Sequence, residues 1–298
     1  MATYQTYQSK GNREDLTDII TNISPVDTWF TSNSGSGKAK GTYHEWQTDS
    51  LASAGSNAKV EGAATSAGTI SPTTRAGNYT QILEKAFQIS KTEEVIDKAG
   101  RKSEMAYQTM KHMKELAKDI EYALLFNTAA ASGASGTARV SNGFDGFVTT
   151  NVETGSATGN EALTEDMFND ALQTVWAAGG YPEVILSGAF QKRKISGFTT
   201  NTRYMVADEN KLASAVDVYQ SDFGTVQIRL HHQMNTTAPS KLFIIGDMGH
   251  WVKAWLRPVK KQQEPFAGDA ELWTIRCEMC LESRQELGHG KVTQLTTA

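Results

Sequence analysis

The sequence predicts an α+β fold. Two amphipathic helical stretches stand apart from the short strand-like runs instead of alternating with them, and no internal repeat is visible across the 298 residues. With 39% hydrophobic residues there is ample material for a core, since a folded chain of this size buries roughly 75% of the surface its unfolded form exposes.

Composition narrows the function classes. The longest apolar runs, such as Val184 to Leu186 and Leu242 to Ile245, fall far short of the ~20 residues needed to cross a bilayer. No basic-then-apolar signal opens the chain, so a cytoplasmic protein with no membrane partner is expected. Lys+Arg 29 against Asp+Glu 33 gives a formal net charge of -4, which disfavours free-standing nucleic-acid binding. Two cysteines cannot build a disulfide framework.

Residues 1–40 read as an arm. Leu16, Ile19, Ile20 and Ile23 have the spacing of a brief helix that Pro25 ends, Trp29 and Phe30 are sticky anchors, and Ser34 to Lys40 reads as flexible. Such an arm cannot make its own core, so its aromatics need a surface on the same subunit or on a neighbour. Residues 41–88 resemble a long hairpin, with strand-like ends at Thr42–Trp46 and Tyr79–Ile89. Of the 20 residues from Leu51 to Ile70 between them, 14 are Ala, Gly, Ser or Thr, too small to pack a core.

Thr92 with Glu93 and Glu94 predicts a helix start, because a hydroxyl and early carboxylates satisfy free amides and the helix dipole. The helix runs towards Asn127, with a break or bend expected at Gly100. Ala106, Met110, Met113, Ala117, Ile120 and Leu124 recur at spacings of three and four, which predicts the buried face and leaves Lys111, Lys114, Lys118 and Glu121 outside. From Ser103 onward it would be roughly 37 Å long at ~1.5 Å per residue. Thr128 to Ala138 is a boundary loop. Thr164 opens a second amphipathic helix (Met167, Phe168, Leu172, Val175, Trp176) that stops at Gly179-Gly180. Strands follow at Glu183–Leu186, Ala215–Tyr219, Thr225–His231, Leu242–Ile245, Trp251–Leu256, Leu272–Glu282 and Lys291–Leu295.

No motif carries a reaction. Cys277 and Cys280 make one CxxC, but zinc wants four ligands and there is no second pair. On a strand, a separation of three turns the two thiols to opposite faces. A thiol or zinc enzyme is the rival that this pair keeps open. The six histidines (His44, His112, His231, His232, His250, His289) lack zinc-protease spacing. Ser34-Gly-Ser-Gly-Lys38 fails as a phosphate loop, with Ser32 where a glycine belongs and Ala39 where a hydroxyl would hold magnesium. Lys192-Arg193-Lys194 and Lys260-Lys261 read as solvated basic clusters, and Trp251 and Trp255 as packing residues. No catalytic residue, cofactor or metal is expected. An arm, an under-packed hairpin and a long helix without chemistry point to an assembly protein.

Several segments resemble the tailed-bacteriophage major capsid proteins of the Hong Kong 97-like family. They are Gly11-Asn-Arg-Glu-Asp-Leu-Thr-Asp-Ile-Ile-Thr-Asn-Ile-Ser-Pro25, Thr42-Tyr-His-Glu-Trp-Gln-Thr-Asp-Ser-Leu51, Val216-Asp-Val-Tyr-Gln-Ser-Asp-Phe-Gly224, Leu256-Arg-Pro258 and Glu286-Leu-Gly-His-Gly-Lys-Val292. The resemblance implies an N-terminal arm (1–40), an extended loop (41–88), a peripheral domain with a spine helix (89–138), an axial domain (139–245) and strands returning to the peripheral domain (246–298). It implies a subunit that self-assembles as pentamers and hexamers of an icosahedral shell around double-stranded DNA contacted non-specifically. Portal and decoration proteins are its implied partners. Since the arm motif begins by Gly11, a separately encoded scaffolding protein is expected. Lys59 is available in the loop, but no crosslink is expected. Rival uses of such a subunit are a nanocompartment shell or a tail or neck ring. Trp29, Phe30, Trp46, Leu51, Val60 and Ile70 are the expected neighbour-contacting anchors.

Overall fold

The computed structural model describes residues 26–65, 67–97, 100, 102–155, 161–198, 217–266 and 268–297. The expected helix at Leu16–Ile23 and the start of the strand at Ala215 lie outside the described residues.

A four-stranded sheet has the order β1-β10-β11-β4, from β1 (Gly35–Lys38), β4 (Gln81–Ser90), β10 (Trp251–Glu264) and β11 (Ala270–Ser283). β10 and β11 form a long antiparallel ribbon whose register slips between Trp255 and Lys260. Pro258, which has no N–H to give the ladder, sits inside that irregularity. The stretch expected to be flexible, Ser34 to Lys40, instead supplies β1, paired in parallel with β10. Its glycines serve closeness and not freedom: a Cβ on Gly37 would lie 3.0 Å from Val252 Cγ1.

The hairpin is shorter than expected. β2 (Tyr43–Thr48) pairs with β3 (Thr74–Tyr79), and the chain then breaks at Thr80, so that β4 leaves the hairpin and joins β11. The expected single return strand Tyr79–Ile89 is therefore two strands in two sheets.

The expected helix start at Thr92 opens only a short turn, α2 (Lys91–Val95), one residue after Ser90. Gly100 then takes a φ of 78°, which ends the helical path. The spine helix α3 (Glu104–Phe126) starts anew from Ser103, whose hydroxyl accepts a hydrogen bond from the Ala106 amide at 3.2 Å. Glu94 adds a carboxylate from α2, accepting from the Glu104 and Met105 amides at 3.0 and 3.1 Å. Twenty-three residues make a helix of about 35 Å.

The buried face of α3 differs from the expected one over its first half. Met105, His112, Leu116, Ile120 and Ala123 face the sheet, with the His112 ring stacked 4.8 Å from Phe87. Ala106, Met110 and Met113 point to solvent. A histidine that stacks on an aromatic ring fills a core position that apolar periodicity assigns to methionine.

The second sheet has six strands in the order β5-β12-β9-β6-β8-β7: β5 (Val152–Thr154), β6 (Val184–Ser187), β7 (Val218–Ser221), β8 (Gly224–Leu230), β9 (Leu242–Ile245) and β12 (Gly290–Thr293). The final strand, expected among those returning to the peripheral domain, thus joins this sheet beside β9 and β5. β6 and β9 are buried on both faces, which is why they read as continuous apolar runs. Leu186, Phe243 and Ile245 pack into a core shared with α3 and β11. Ile185, Leu242 and Ile244 pack on the other side against Phe168, Leu172 and Val175 of α5 (Glu165–Ala177). Thr164 caps α5, accepting from the Met167 amide at 3.2 Å. Trp176, expected on the buried face, is half exposed.

His289 closes the seam between the sheets. Its Nδ1 accepts from the Gly246 amide at 3.1 Å and the Trp251 indole at 3.3 Å. Burial, with help from neighbouring His250, pushes its pKa from 6.5 down to about 3. The fold therefore keeps this imidazole neutral while the unfolded chain takes up a proton below pH 6.5. Stability due to His289 is complete above 6.5 and falls towards pH 3, by about 1.4 kcal/mol per unit. The urea midpoint of the subunit should fall between pH 7.5 and 5, and the slope should flatten in His289→Gln; parallel slopes for the two chains would disprove this.

Candidate assembly interface

The hairpin β2–β3 is fastened hard at its root. Asn78 is fully buried: its Nδ2 donates to Leu281 O (2.7 Å), Asn142 O (3.0 Å) and Ser141 Oγ (3.1 Å), and its Oδ1 accepts from the Asn142 amide (2.8 Å). Next to it Glu278, also buried, accepts from Thr80 Oγ1 (2.8 Å), Arg139 Nη2 (2.6 Å) and Arg257 Nε (2.8 Å). Burial pushes its carboxyl up, but these three donors outweigh burial and hold it below the ordinary carboxylate value. His44 Nε2 meets Glu282 at 3.2 Å, and Tyr43 lies over Tyr79 with ring centres 4.6 Å apart.

Past this root the hairpin carries nothing. The stretch 49–73 has no strand or helix, and its large apolar side chains point into solvent: Leu51 is 98% exposed, Val60 80% and Ile70 92%. Isolated apolar groups this bare on a polar loop mark a surface awaiting a partner.

The other expected anchors behave differently. Phe30 is completely buried within its own chain, its ring 6.1 Å from Phe144 and 6.0 Å from Trp251. Trp46 also turns inward, edge-on to Phe147 at 6.0 Å. Neither ring is free for a neighbour, because the shared core between the sheets has room for both. Trp29 is partly covered, with the Arg229 guanidinium 5.6 Å over its ring.

Phe30 is carried by α1 (Trp29–Asn33), which docks on Glu121 of α3. That carboxylate, expected on the solvent face, is fully buried. Its oxygens accept from the Phe30 amide (2.8 Å) and the Thr31 amide (2.7 Å), and from the Thr31 hydroxyl. His231 Nε2 lies 3.0 Å away, and Asp27 reaches His231 and His232. Lys253 Nζ completes the joint, donating to Thr31 O (2.6 Å) and Ser34 O (2.8 Å). Burial lowers the pKa of this lysine, and Glu121 partly restores it. Asn78, Glu121 and Glu278 escape sequence reasoning because a mid-strand or mid-helix polar residue reads as surface unless its partners are known.

The two thiols lie on opposite faces of β11. Cys277 sits in the core shared by the sheets and Cys280 against Ala39 and Ala254. Burial pushes Cys277 up to about 11 and Cys280 up to about 12 from an ordinary 9.0, so neither offers a thiolate at neutral pH. Lys192 is tied inside, to Ile228 O at 3.0 Å and Asp217 at 3.1 Å. Lys261 rests 4.0 Å over Trp273. The Ser34–Lys38 segment, as strand β1, forms no phosphate loop. Among the described residues no helix is long and apolar enough to cross a membrane.

Comparison with known proteins agrees with this arrangement. The "Major capsid protein" of Escherichia phage Phieco32 is 38% identical over 127 residues, which cover 42% of this chain and 36% of that protein. The alignment thus spans about a third of the relative's length. Among solved structures, the Cyanophage A-1(L) capsid asymmetric unit superposes with a TM-score of 0.70 at 14% identity, over 99% of both chains. The capsid of a native GTA particle does so with a TM-score of 0.70 at 12% identity, over 98% of both. A chain of Gordonia phage Cozz gives 0.66 at 10%, over 98% of this chain and 94% of that one. These likenesses establish the α+β, Hong Kong 97-like capsid fold. The family model described as SU10 major capsid protein matches residues 2–296, and the chain belongs to that family.

Proposed function

We propose that this chain is the subunit of the icosahedral head shell of a tailed phage, and that it associates by laying the hairpin of residues 41–88 across a neighbouring copy. The observation that carries the reading is the contrast within that hairpin: a root fixed by Asn78 and Glu278, and a bare tip with Leu51, Val60 and Ile70 in solvent. A mobile surface loop has no use for so rigid a root; a reaching arm does. Pentamers and hexamers, a separately encoded scaffolding protein, a portal, decoration proteins and non-specific contact with packaged double-stranded DNA belong to the same proposal. So do assembly in the host cytoplasm and the division into arm, extended loop, peripheral domain and axial domain, with β12 counted in the axial sheet.

Electron microscopy of the expressed chain, alone and with the scaffolding protein, tests it. Closed shells or five- and six-membered rings are expected. The triple variant Leu51→Ser, Val60→Ser, Ile70→Ser should form few or none while melting at the temperature of the parent subunit, because the parent buries none of these side chains. A triple variant that assembles as well as the parent would sink the assignment of the loop.

A further inference from the structure

The outer face of α3 is built for an occupant. Positions 107, 110, 114, 117 and 121 share that face at spacings of three and four. At its far end Glu121 already receives the arm, through the Phe30 and Thr31 amides. Towards its start the same face is open and unusual: Met110 is 61% exposed and Met113 44%, an apolar pair flanked by Lys111, Lys114 and Lys118. Among the described residues no carboxylate pairs with these three lysines. Asp119, on the flank, is engaged by Lys85 at 2.7 Å, and Glu115 is the remaining acid nearby.

The segment that precedes the docked arm has the complementary chemistry. Between Asn12 and Ile23 the chain carries Glu14, Asp15 and Asp18, with Arg13 as its one cation, and Leu16, Ile19, Ile20 and Ile23 as apolar residues. Reach is adequate. Glu121 and Lys114 are two helical turns apart, about 10.5 Å at ~1.5 Å per residue. The five residues from Ser24 to Thr28 can span up to about 16 Å at ~3.3 Å each.

We propose that residues 12–23 dock on the open face of α3 in the same chain, placing the isoleucines on Met110 and Met113 and the carboxylates beside Lys111, Lys114 and Lys118. The arm then follows the helix that already holds it at Glu121.

A cysteine pair tests this in the full-length unassembled subunit. Ile19→Cys with Met113→Cys should close an intrachain disulfide under mild oxidation, the two native thiols being buried. Reversing the three lysines to glutamate should cut the yield about tenfold, and adding Glu14→Lys, Asp15→Lys and Asp18→Lys should restore it. No disulfide, a yield indifferent to charge reversal, or disulfide-linked dimers, which would make the occupant a second copy, each overturns the proposal. Deleting residues 1–24 should also speed peroxide oxidation of Met110 and Met113 several-fold; unchanged rates overturn it independently.

Discussion

Replacing Phe30 with alanine should cost the isolated subunit about 3–5 kcal/mol, the range for truncating a fully buried aromatic ring. The ring touches Phe144 and Trp251 edge and tilt, and no solvent reaches it. The cavity would open where α1 meets the core shared by both sheets, so collapse around it is limited. The sequence alone suggests the reverse, that Phe30 and Trp46 serve assembly more than folding, since an arm aromatic looks like a hook for a neighbour. Urea unfolding of the unassembled subunit decides the matter: a large drop in midpoint is expected for Phe30→Ala. A variant that unfolds like the parent yet fails to form shells would restore the hook.

Glu121→Ala should be of similar size, about 3–5 kcal/mol, for a different reason. The carboxylate gathers two backbone amides, a hydroxyl and His231 in a place without water. Removing it leaves those donors buried and unpaired, and the loss comes mainly from their desolvation. Glu121→Gln keeps the shape and one acceptor and should cost less than half as much. The effect is directional as well, since α1 has nothing else to receive its first amides. Limited proteolysis should cut the alanine variant near residues 26–34 at a rate the parent does not show. Parent-like stability and cleavage would mean that aromatic packing alone holds the arm.

Much of the fold was legible because apolar pattern and cap chemistry are local. Thr164 and Ser103 mark true helix starts, and the runs Val184–Leu186 and Leu242–Ile245 are buried on both faces as such runs imply. What escaped depends on partners distant in sequence. Gly35 to Lys38 reads as loop until Val252 is placed against it, and Met110 reads as core until His112 is seen to stack on Phe87. The candidate interface was legible in one part: Leu51, Val60 and Ile70 stand out as large residues in a run of small ones, and they are exposed. Phe30 and Trp46 do not differ from them by type, only by the pocket that a folded chain offers. The acids that fasten arm and hairpin left no local trace.

The composition of the stretch 49–73 also governs how the subunit associates with concentration. Fixing a residue's backbone costs about 1–2 kcal/mol, so ordering even ten of these residues takes about 10–20 kcal/mol. Leu51, Val60 and Ile70 together return only about 5–9 kcal/mol when buried. One loop on one neighbour therefore does not hold. Dimers stay scarce, and association becomes favourable only when each subunit gains several neighbours at once. The expected signature is a threshold: below a critical concentration nearly all chains remain single, and above it nearly every added chain enters a finished particle.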